Sequence, residues 1–201
     1  AGTHNSGWVR DPGDLLFTSD NLLPTLEAYV KDILESFKND KRIILWDLYN
    51  EPGNSGYKNK SLPLLKSVFK WARQVNPSQP LTVGVWNKDL SDLNKIQIEN
   101  SDIITYHNYT DEIQHQKAID SLKTYKRPMI CTEYMARRNN SLFSNIMPIL
   151  KEENIGAINW GLVDGKSNTK YAWDEPIPDG SEPKLWFHEI FRKDGTPYKQ
   201  N

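Results

Sequence analysis

The chain has 201 residues, an apolar content of 37% and a formal net charge of −1. This length and apolar content are enough for one globular domain with a substantial core, which excludes a disordered chain. The charges are balanced and interspersed and no apolar run reaches about 18 residues, so the sequence predicts neither a nucleic-acid partner nor a membrane span.

The hydrophobic pattern predicts alternating helices and strands after an irregular start. Residues 1–18 lack periodicity and indicate a loop, in which His4 and Trp8 are candidates to line a binding site. Predicted helices cover a stretch from a cap at Ser19 or Asp20 to near Asn39, then 61–75, a short turn at 90–96, 112–125, 141–153 and 185–192. Predicted strands cover 43–49, 81–86, 103–109, 127–136 and 155–163. This alternation is typical of an α/β fold with a parallel sheet.

The first of these strands ends in the sequence Asn-Glu-Pro-Gly at residues 50–53. The strand must stop there, because Pro52 cannot donate to a strand ladder and Gly53 releases the backbone into a turn. Glu51 is therefore expected at the mouth of the sheet. An isolated glutamate in such a place is usually a solvated or helix-capping group.

A second predicted strand that also ends in a glutamate favours a catalytic role for Glu51. Residues 127–136 form a short apolar run that also ends in a glutamate, Glu133. Two glutamates at the carboxyl ends of parallel strands face the same opening if the strands belong to one barrel. Two carboxylates that face each other across one cleft are the catalytic groups of most glycoside hydrolases.

The order and spacing of several residues resemble the retaining β-glycosidases of clan A, and most of all the family 5 cellulase and mannanase type. The residues that carry the likeness are Asn50, Glu51, His107, Tyr109, Glu133 and Trp160. The resemblance implies a (β/α)8 TIM barrel with Glu51 as the acid/base after strand four and Glu133 as the nucleophile after strand seven. It also implies that Asn50 binds the sugar 2-hydroxyl and that Trp160 stacks under the sugar. His107 would contact the sugar or the acid/base, and Tyr109 would lie beside the nucleophile.

Only part of such a barrel can be placed in this sequence. Five strands are predicted, whereas a complete barrel has eight strands and typically ~250 residues. We therefore expect a single catalytic domain over residues 1–201 that corresponds to about strands 4 to 8, the C-terminal portion of the barrel, without N-terminal βα units of roughly 90 residues. The missing N-terminal part of the same protein is an expected partner, because an open five-stranded sheet exposes an edge and half of a core. The Arg and His that the family carries on strands two and three cannot be located here.

Further site residues have structural alternatives. Trp86 and Trp173 are weaker candidates for neighbouring sugar subsites, and Asp47 is interpreted as structural. His107 and Tyr109 can also be aromatic barrel filler, and Trp160 can belong to the core. Retaining chemistry requires a protonated acid and an ionised nucleophile about 5–5.5 Å apart, and inverting chemistry about 6.5–9.5 Å. The shorter separation is predicted for Glu51 and Glu133.

Three rival functions fit the sequence less well. A carbohydrate-binding or degenerate barrel would keep the tryptophans and make the glutamates incidental. A metal-dependent hydrolase would use His107 with Glu133 or Asp47 as ligands, but the sequence has no His-x-His pair or Glu-x-x-His after a strand. A nucleotide-binding fold is weaker still, because no Gly-x-Gly-x-x-Gly follows a strand. The predicted partner is therefore a carbohydrate, with no metal and no cofactor, and the resemblance favours a secreted or periplasmic location.

Overall fold

The computed structural model of the chain describes residues 2–6, 13–19 and 21–198. Trp8 and the alternative helix cap Asp20 lie outside the described residues. The described chain forms two compact units. The first unit contains residues 2–6, 107–126 and 130–198, and the second contains residues 13–19, 21–106 and 127–129.

Five strands and five α-helices alternate along the described part of the chain. In chain order they are α1 (Leu22–Phe37), β1 (Trp46–Asp47), α2 (Leu62–Val75), β2 (Leu81–Thr82), α3 (Ser91–Asn100), β3 (Ile104–His107), α4 (Glu112–Lys123), β4 (Met129–Glu133), α5 (Phe143–Glu152) and β5 (Gly156–Ala157). Short 3-10 helices cover Asp14–Phe17, Lys58–Ser61 and Arg137–Asn139. The predicted order of elements is confirmed up to β5.

Within each sheet the strands pair in chain order. β1 is parallel to β2, and β4 is parallel to β5. Between these pairs, Val85 forms a parallel bridge to Tyr106 of β3. β3 in turn neighbours β4, and along these two strands the amide of Ile104 bonds to the carbonyl of Pro128 and the amide of Asn108 to that of Glu133. The residue numbers increase in the same direction on both strands, from 104 to 108 and from 128 to 133, so this pair is parallel as well.

This arrangement is that of a partial TIM barrel. Each of the first four strands is followed by a helix, as in repeated βα units. The described residues form a two-stranded and a three-stranded sheet and do not close into a barrel. The regular strands are shorter than predicted, although bonding continues past β1, since the amide of Leu48 donates to the carbonyl of Thr82.

The core of the second unit is built on α2. The apolar stripe of this helix is buried in full, namely Leu64, Leu65, Val68, Phe69 and Ala72. Leu65 and Phe69 pack with Val83 and Leu93, and Ala72 packs with Leu34 of α1 and Leu81 of β2. In α1, Leu34 is buried, whereas Tyr29 is 64% exposed and Phe37 is 42% exposed.

Part of the core of the first unit is formed by residues of β4 and of the two helices α4 and α5. Ile119 of α4, Ile146 of α5 and Cys131 of β4 are fully buried. Cys131 is thus the small buried residue expected from an apolar strand. Met147 of α5 is 48% exposed.

The helix predicted over residues 185–192 does not form. Four consecutive residues, 186–189, are buried to 2% exposure or less, and one face of a helix cannot bury four residues in a row. The backbone instead bonds to a loop, with the amide of Phe187 donating to Lys170 and that of His188 to Thr169. The carboxylate of Glu189 accepts the amide of Thr169 at 3.1 Å, and burial raises its pKa.

Within the described ranges, no helix is long and apolar enough to cross a membrane.

The buried histidines of the first unit predict a loss of stability in acid. Burial lowers the pKa of His115 to about 4 and that of His188 to about 3, whereas both titrate near 6.5 when unfolded. Below pH ~6.5 the unfolded chain takes up protons first, so the stability present above that pH is lost as the pH falls toward 4. Each histidine contributes a slope of about 1.4 kcal/mol per pH unit. Urea denaturation at pH 7.5, 6.0 and 5.0 measures this slope, and His115→Leu should remove its share. An unchanged slope in that variant would contradict the assignment.

Candidate active site

The carboxyl ends of β3 and β4 bring three predicted site residues together in the first unit. The amide of Asn108 donates to the carbonyl of Glu133 at 2.9 Å, which aligns the two strand ends. The Tyr109 hydroxyl donates to Glu133 Oε2 at 2.6 Å. His107 Nδ1 lies 3.2 Å from the same oxygen. Tyr109 follows the end of β3 by two residues, and its hydroxyl and His107 Nδ1 reach the same carboxylate oxygen.

This environment suits an ionised, oriented carboxylate. The side chain of Glu133 is 12% exposed and that of His107 is 4% exposed, so both lie largely out of water. The Tyr109 hydroxyl donates to Oε2, and such a bond to a carboxylate stabilises the charge and fixes the direction of the carboxyl group. His107 Nδ1 and Glu133 Oε2 are 3.2 Å apart, a hydrogen-bonding distance.

An aromatic wall continues from Tyr109. We use this name for His4, Tyr109, Trp173, Phe187 and His188. The Tyr109 ring lies 5.1 Å from Trp173 and 5.2 Å from His188, and Trp173 lies 4.7 Å from Phe187. Trp173 is 50% exposed, so an indole surface remains open to a ligand. His4 is held by the carbonyl of Tyr171 at 2.8 Å, and burial lowers its pKa.

Trp160 follows β5 in the same unit. Its backbone amide donates to the carbonyl of Tyr134 at 3.0 Å, and its side chain is partly buried. Gly161 has φ +83°, and a Cβ at this position would lie 2.7 Å from His188 Cβ. Gly161 is therefore needed for the close approach of this segment to the aromatic wall.

The Asn-Glu-Pro-Gly turn belongs to the second unit and is tightly held. Glu51 has φ +44°, an uncommon value for a residue with a side chain, and its Oε2 accepts from Asn54 Nδ2 at 2.6 Å. Gly53 has φ +84°, and a Cβ there would lie 2.6 Å from Leu93 Cδ1. The amide of Gly53 donates to Ser61 Oγ at 2.9 Å. The turn that carries Glu51 is thus fixed by its own backbone and by packing.

The two remaining predicted residues also lie in the second unit. Asn50 is exposed. The Trp86 indole N–H donates to the carbonyl of Pro52 at 3.0 Å, and its ring packs against the cluster around Phe69. Trp86 therefore supports the turn that carries Glu51, and its role as a sugar subsite stays a prediction.

Sequence reasoning missed two members of the aromatic wall, Phe187 and His188. Both lie in the segment that was predicted as a helix. The available signal was that the apolar residues of 185–191 occur in two consecutive runs, 185–187 and 190–191, instead of recurring every three or four residues as on one face of a helix. The roles predicted for Glu51, Glu133 and their neighbours stay predictions.

Comparison with known protein families assigns most of the chain to one family. Residues 16–163 match the model described as glycosyl hydrolases family 2, TIM barrel domain. The chain belongs to this family. The family 2 match fits the clan A likeness seen in the sequence, whereas it does not support the narrower likeness to family 5. No curated protein matches the chain in sequence.

Solved structures share the fold of this family 2 barrel domain. A β-glucuronidase from Faecalibacterium prausnitzii matches with a TM-score of 0.61 and 16% identity, over 90% of this chain and 34% of that chain. A β-glucuronidase from Bacteroides uniformis matches with a TM-score of 0.62 and 15% identity, over 89% and 25%. An endo-1,4-β-xylanase from Caldicellulosiruptor owensensis matches with a TM-score of 0.57 and 16% identity, over 88% and 66%. The chain thus spans a quarter to a third of the length of the two β-glucuronidases.

Proposed function

We propose that this barrel domain hydrolyses β-glycosidic bonds with retention of configuration, with Glu133 as nucleophile and Glu51 as acid/base. The observation that carries the proposal is the carboxylate of Glu133 at a strand end, with the Tyr109 hydroxyl and His107 Nδ1 directed at one of its oxygens. Membership of a glycosyl hydrolase family adds independent support.

The proposed reaction has two displacements. Glu133 attacks the anomeric carbon while the bond to the leaving oxygen breaks and protonated Glu51 gives its proton to that oxygen. Water then attacks the glycosyl-enzyme ester, Glu51 takes the proton of that water, and Glu133 is released as a carboxylate. The chemistry requires a separation of about 5–5.5 Å between the two carboxyl groups, which stays a prediction.

The Tyr109 hydroxyl is suited to the change of charge at Glu133. It donates to the carboxylate in the resting enzyme. When Glu133 becomes an ester, its oxygens lose their charge and accept hydrogen bonds more weakly, so the Tyr109 hydroxyl can donate to the ring oxygen of the sugar instead. When the ester is hydrolysed, Tyr109 can donate to the Glu133 carboxylate again. His107, Asn50 and Trp160 are proposed to bind the sugar at the point of cleavage.

The proposed substrate class is a β-linked oligosaccharide or polysaccharide. The half-exposed indole of Trp173, beside Tyr109, supports a sugar subsite, because the C–H face of a β-linked pyranose packs well on an aromatic ring. Trp86 is proposed as a second, weaker subsite. The family 5 cellulase or mannanase specificity suggested by the sequence has no support from the family match, so the proposed substrates are the β-glycosides of clan A enzymes in general.

A partner within the same barrel is also proposed. Ile44, just before β1, is 78% exposed, and Ile158, just after β5, is 53% exposed. Apolar side chains flanking strands in this way are usually covered by a neighbouring strand or helix. Further βα units of the same protein are the proposed cover for each.

The stereochemistry of the first product tests the proposed reaction. An aryl β-glycoside is incubated with the full-length protein in the spectrometer, and the anomeric proton of the released sugar is followed by NMR before mutarotation. We expect the β-anomer to appear first. Immediate release of the α-anomer would show single displacement, and binding of sugar without any hydrolysis across a panel of glycosides would favour the carbohydrate-binding alternative.

A further inference from the structure

We propose that His188 is a positioning residue for the nucleophile and acts through the backbone of Met135. This inference rests on the proposed function, because it assigns a role to the chain segment that follows Glu133. Its basis is a strained backbone two residues after Glu133, the proposed nucleophile, and two buried side chains that bond to this backbone.

Met135 has an unfavourable backbone conformation. Its φ is +80°, in the region that favours glycine, although its side chain is fully buried. A non-glycine residue keeps such a conformation only when surrounding contacts hold it. Glycine would relieve the strain but would leave a cavity where the methionine side chain packs, so the contacts around Met135 must supply the constraint.

Two side chains supply it. His188 Nδ1 lies 2.6 Å from the carbonyl oxygen of Met135, and the amide of Met135 donates to Ser141 Oγ at 3.2 Å. Both His188 and Ser141 are completely buried. Because a carbonyl only accepts, the proton of the neutral imidazole must be on Nδ1. Burial lowers the pKa of His188 to about 3, so the imidazole is neutral near pH 7 and its single proton lies on Nδ1.

The bond from His188 completes a series that fixes the end of β4 residue by residue. The carbonyl of Glu133 accepts from the amide of Asn108, and that of Tyr134 accepts from the amide of Trp160. The carbonyl of Met135 is the next in the chain, and a side chain rather than a neighbouring strand bonds to it. Without His188, the chain is free to relax toward negative φ at Met135, and this rotation would turn the carboxyl group of Glu133 away from the Tyr109 hydroxyl.

His188 is itself fixed from both sides. Its ring lies 4.5 Å from the Phe187 ring and 5.2 Å from the Tyr109 ring. Gly161 leaves room for it, since any Cβ there would clash with His188 Cβ. His188 thus contacts Tyr109 as well as Met135, so it supports both the backbone behind the nucleophile and the ring whose hydroxyl binds the nucleophile.

The test compares His188→Asn with His188→Leu in the full-length protein. The amide nitrogen of asparagine occupies nearly the place of Nδ1 and can donate to Met135, whereas leucine cannot. With a dinitrophenyl β-glycoside, we expect His188→Leu to lower kcat by about 10- to 100-fold with KM changed less than about threefold, because a small misplacement of a reacting group costs roughly that much. His188→Asn should stay within about fivefold of the parent. The acid limb of the kcat/KM profile should move to higher pH in His188→Leu only, since Glu133 loses a donor there.

His115→Leu is the matched control, because His115 is also a fully buried histidine of the first unit but is carried by α4. Its kcat and pH profile should equal those of the parent. Equal kcat in His188→Leu and the parent, or equal losses in the folded leucine and asparagine variants, would overturn the proposal. If His188→Leu does not fold, Ser141→Ala decides in its place: it should lower kcat about 3- to 10-fold, and an unchanged kcat would overturn the proposal. Failure of the proposed function shows separately, as activity that survives in Glu133→Gln.

Discussion

Glu133→Gln is expected to reduce kcat/KM for an aryl β-glycoside by on the order of 10⁴-fold or more, because an amide cannot form the covalent bond to the anomeric carbon. Glutamine has nearly the same shape as glutamate, and its Oε can still accept from the Tyr109 hydroxyl, whose bond to Glu133 is 2.6 Å long. Binding of the sugar and the fold should therefore change little. Steady-state kinetics and a denaturation midpoint on the same preparation measure the two effects separately.

Replacing Glu133 by alanine gives a more specific test of its role as nucleophile than replacing it by glutamine. Glu133→Ala leaves a space in which azide can attack the anomeric carbon directly, so azide should restore turnover and yield the α-glycosyl azide from a β-glycoside. Glu152→Gln is the matched control, because Glu152 is an exposed glutamate at the end of α5 in the same unit. Activity in Glu133→Gln close to that of the control would rule out Glu133 as the nucleophile.

The environment of Glu133, the proposed nucleophile, was partly predictable because it depends on short-range rules. His107 ends β3 and Tyr109 follows it by two residues, so both lie at the carboxyl end of that strand. Parallel strands carry their carboxyl ends to one edge, so β3 and β4 had to bring Tyr109 near Glu133. The buried stripe of α2 was predictable for the same kind of reason, a period of 3.6 residues.

Other features depend on contacts far apart in sequence. The contact between His188 and Met135 joins residues 53 positions apart, and no local pattern indicates it. The positive φ values of Glu51 and Met135 were also not predictable, because neither residue favours that conformation and tertiary contacts impose it. The segment at 185–192 was predicted as a helix from its apolar content, but its burial follows from bonds to the loop at 162–170, which sequence periodicity does not record.

These long-range contacts explain why a sequence motif can identify a candidate reactive residue but does not identify the residues that hold it in place. The Asn-Glu-Pro-Gly turn identifies Glu51, but the residues that hold this turn, Ser61 and Leu93, lie 8 residues or more away along the chain. Trp86 was selected as a ligand-binding aromatic, yet its indole N–H bonds to Pro52 of the same turn. A tryptophan that packs beside a catalytic loop and one that stacks on a sugar have the same appearance in sequence.

Glu51→Ala is expected to show the second large effect, with a dependence on the leaving group that a structural role would not produce. For a substrate with a poor leaving group, loss of the general acid should lower kcat/KM by about 10²- to 10⁴-fold. For a dinitrophenyl glycoside, which departs without a proton, kcat/KM should fall far less. Hydrolysis of the glycosyl-enzyme also loses its base, so a burst of dinitrophenolate should precede a slow steady state.

Azide distinguishes the two glutamates in a single experiment. In Glu51→Ala, azide replaces water in the second displacement, so the product should be the β-glycosyl azide, opposite to the product expected from Glu133→Ala. The basic limb of the kcat/KM profile should also disappear, because it reports loss of the proton from the acid. Glu99→Gln, an exposed glutamate at the end of α3 in the same unit as Glu51, serves as the control. Equal losses for good and poor leaving groups would exclude Glu51 as the acid/base and leave it a structural residue of a strained turn.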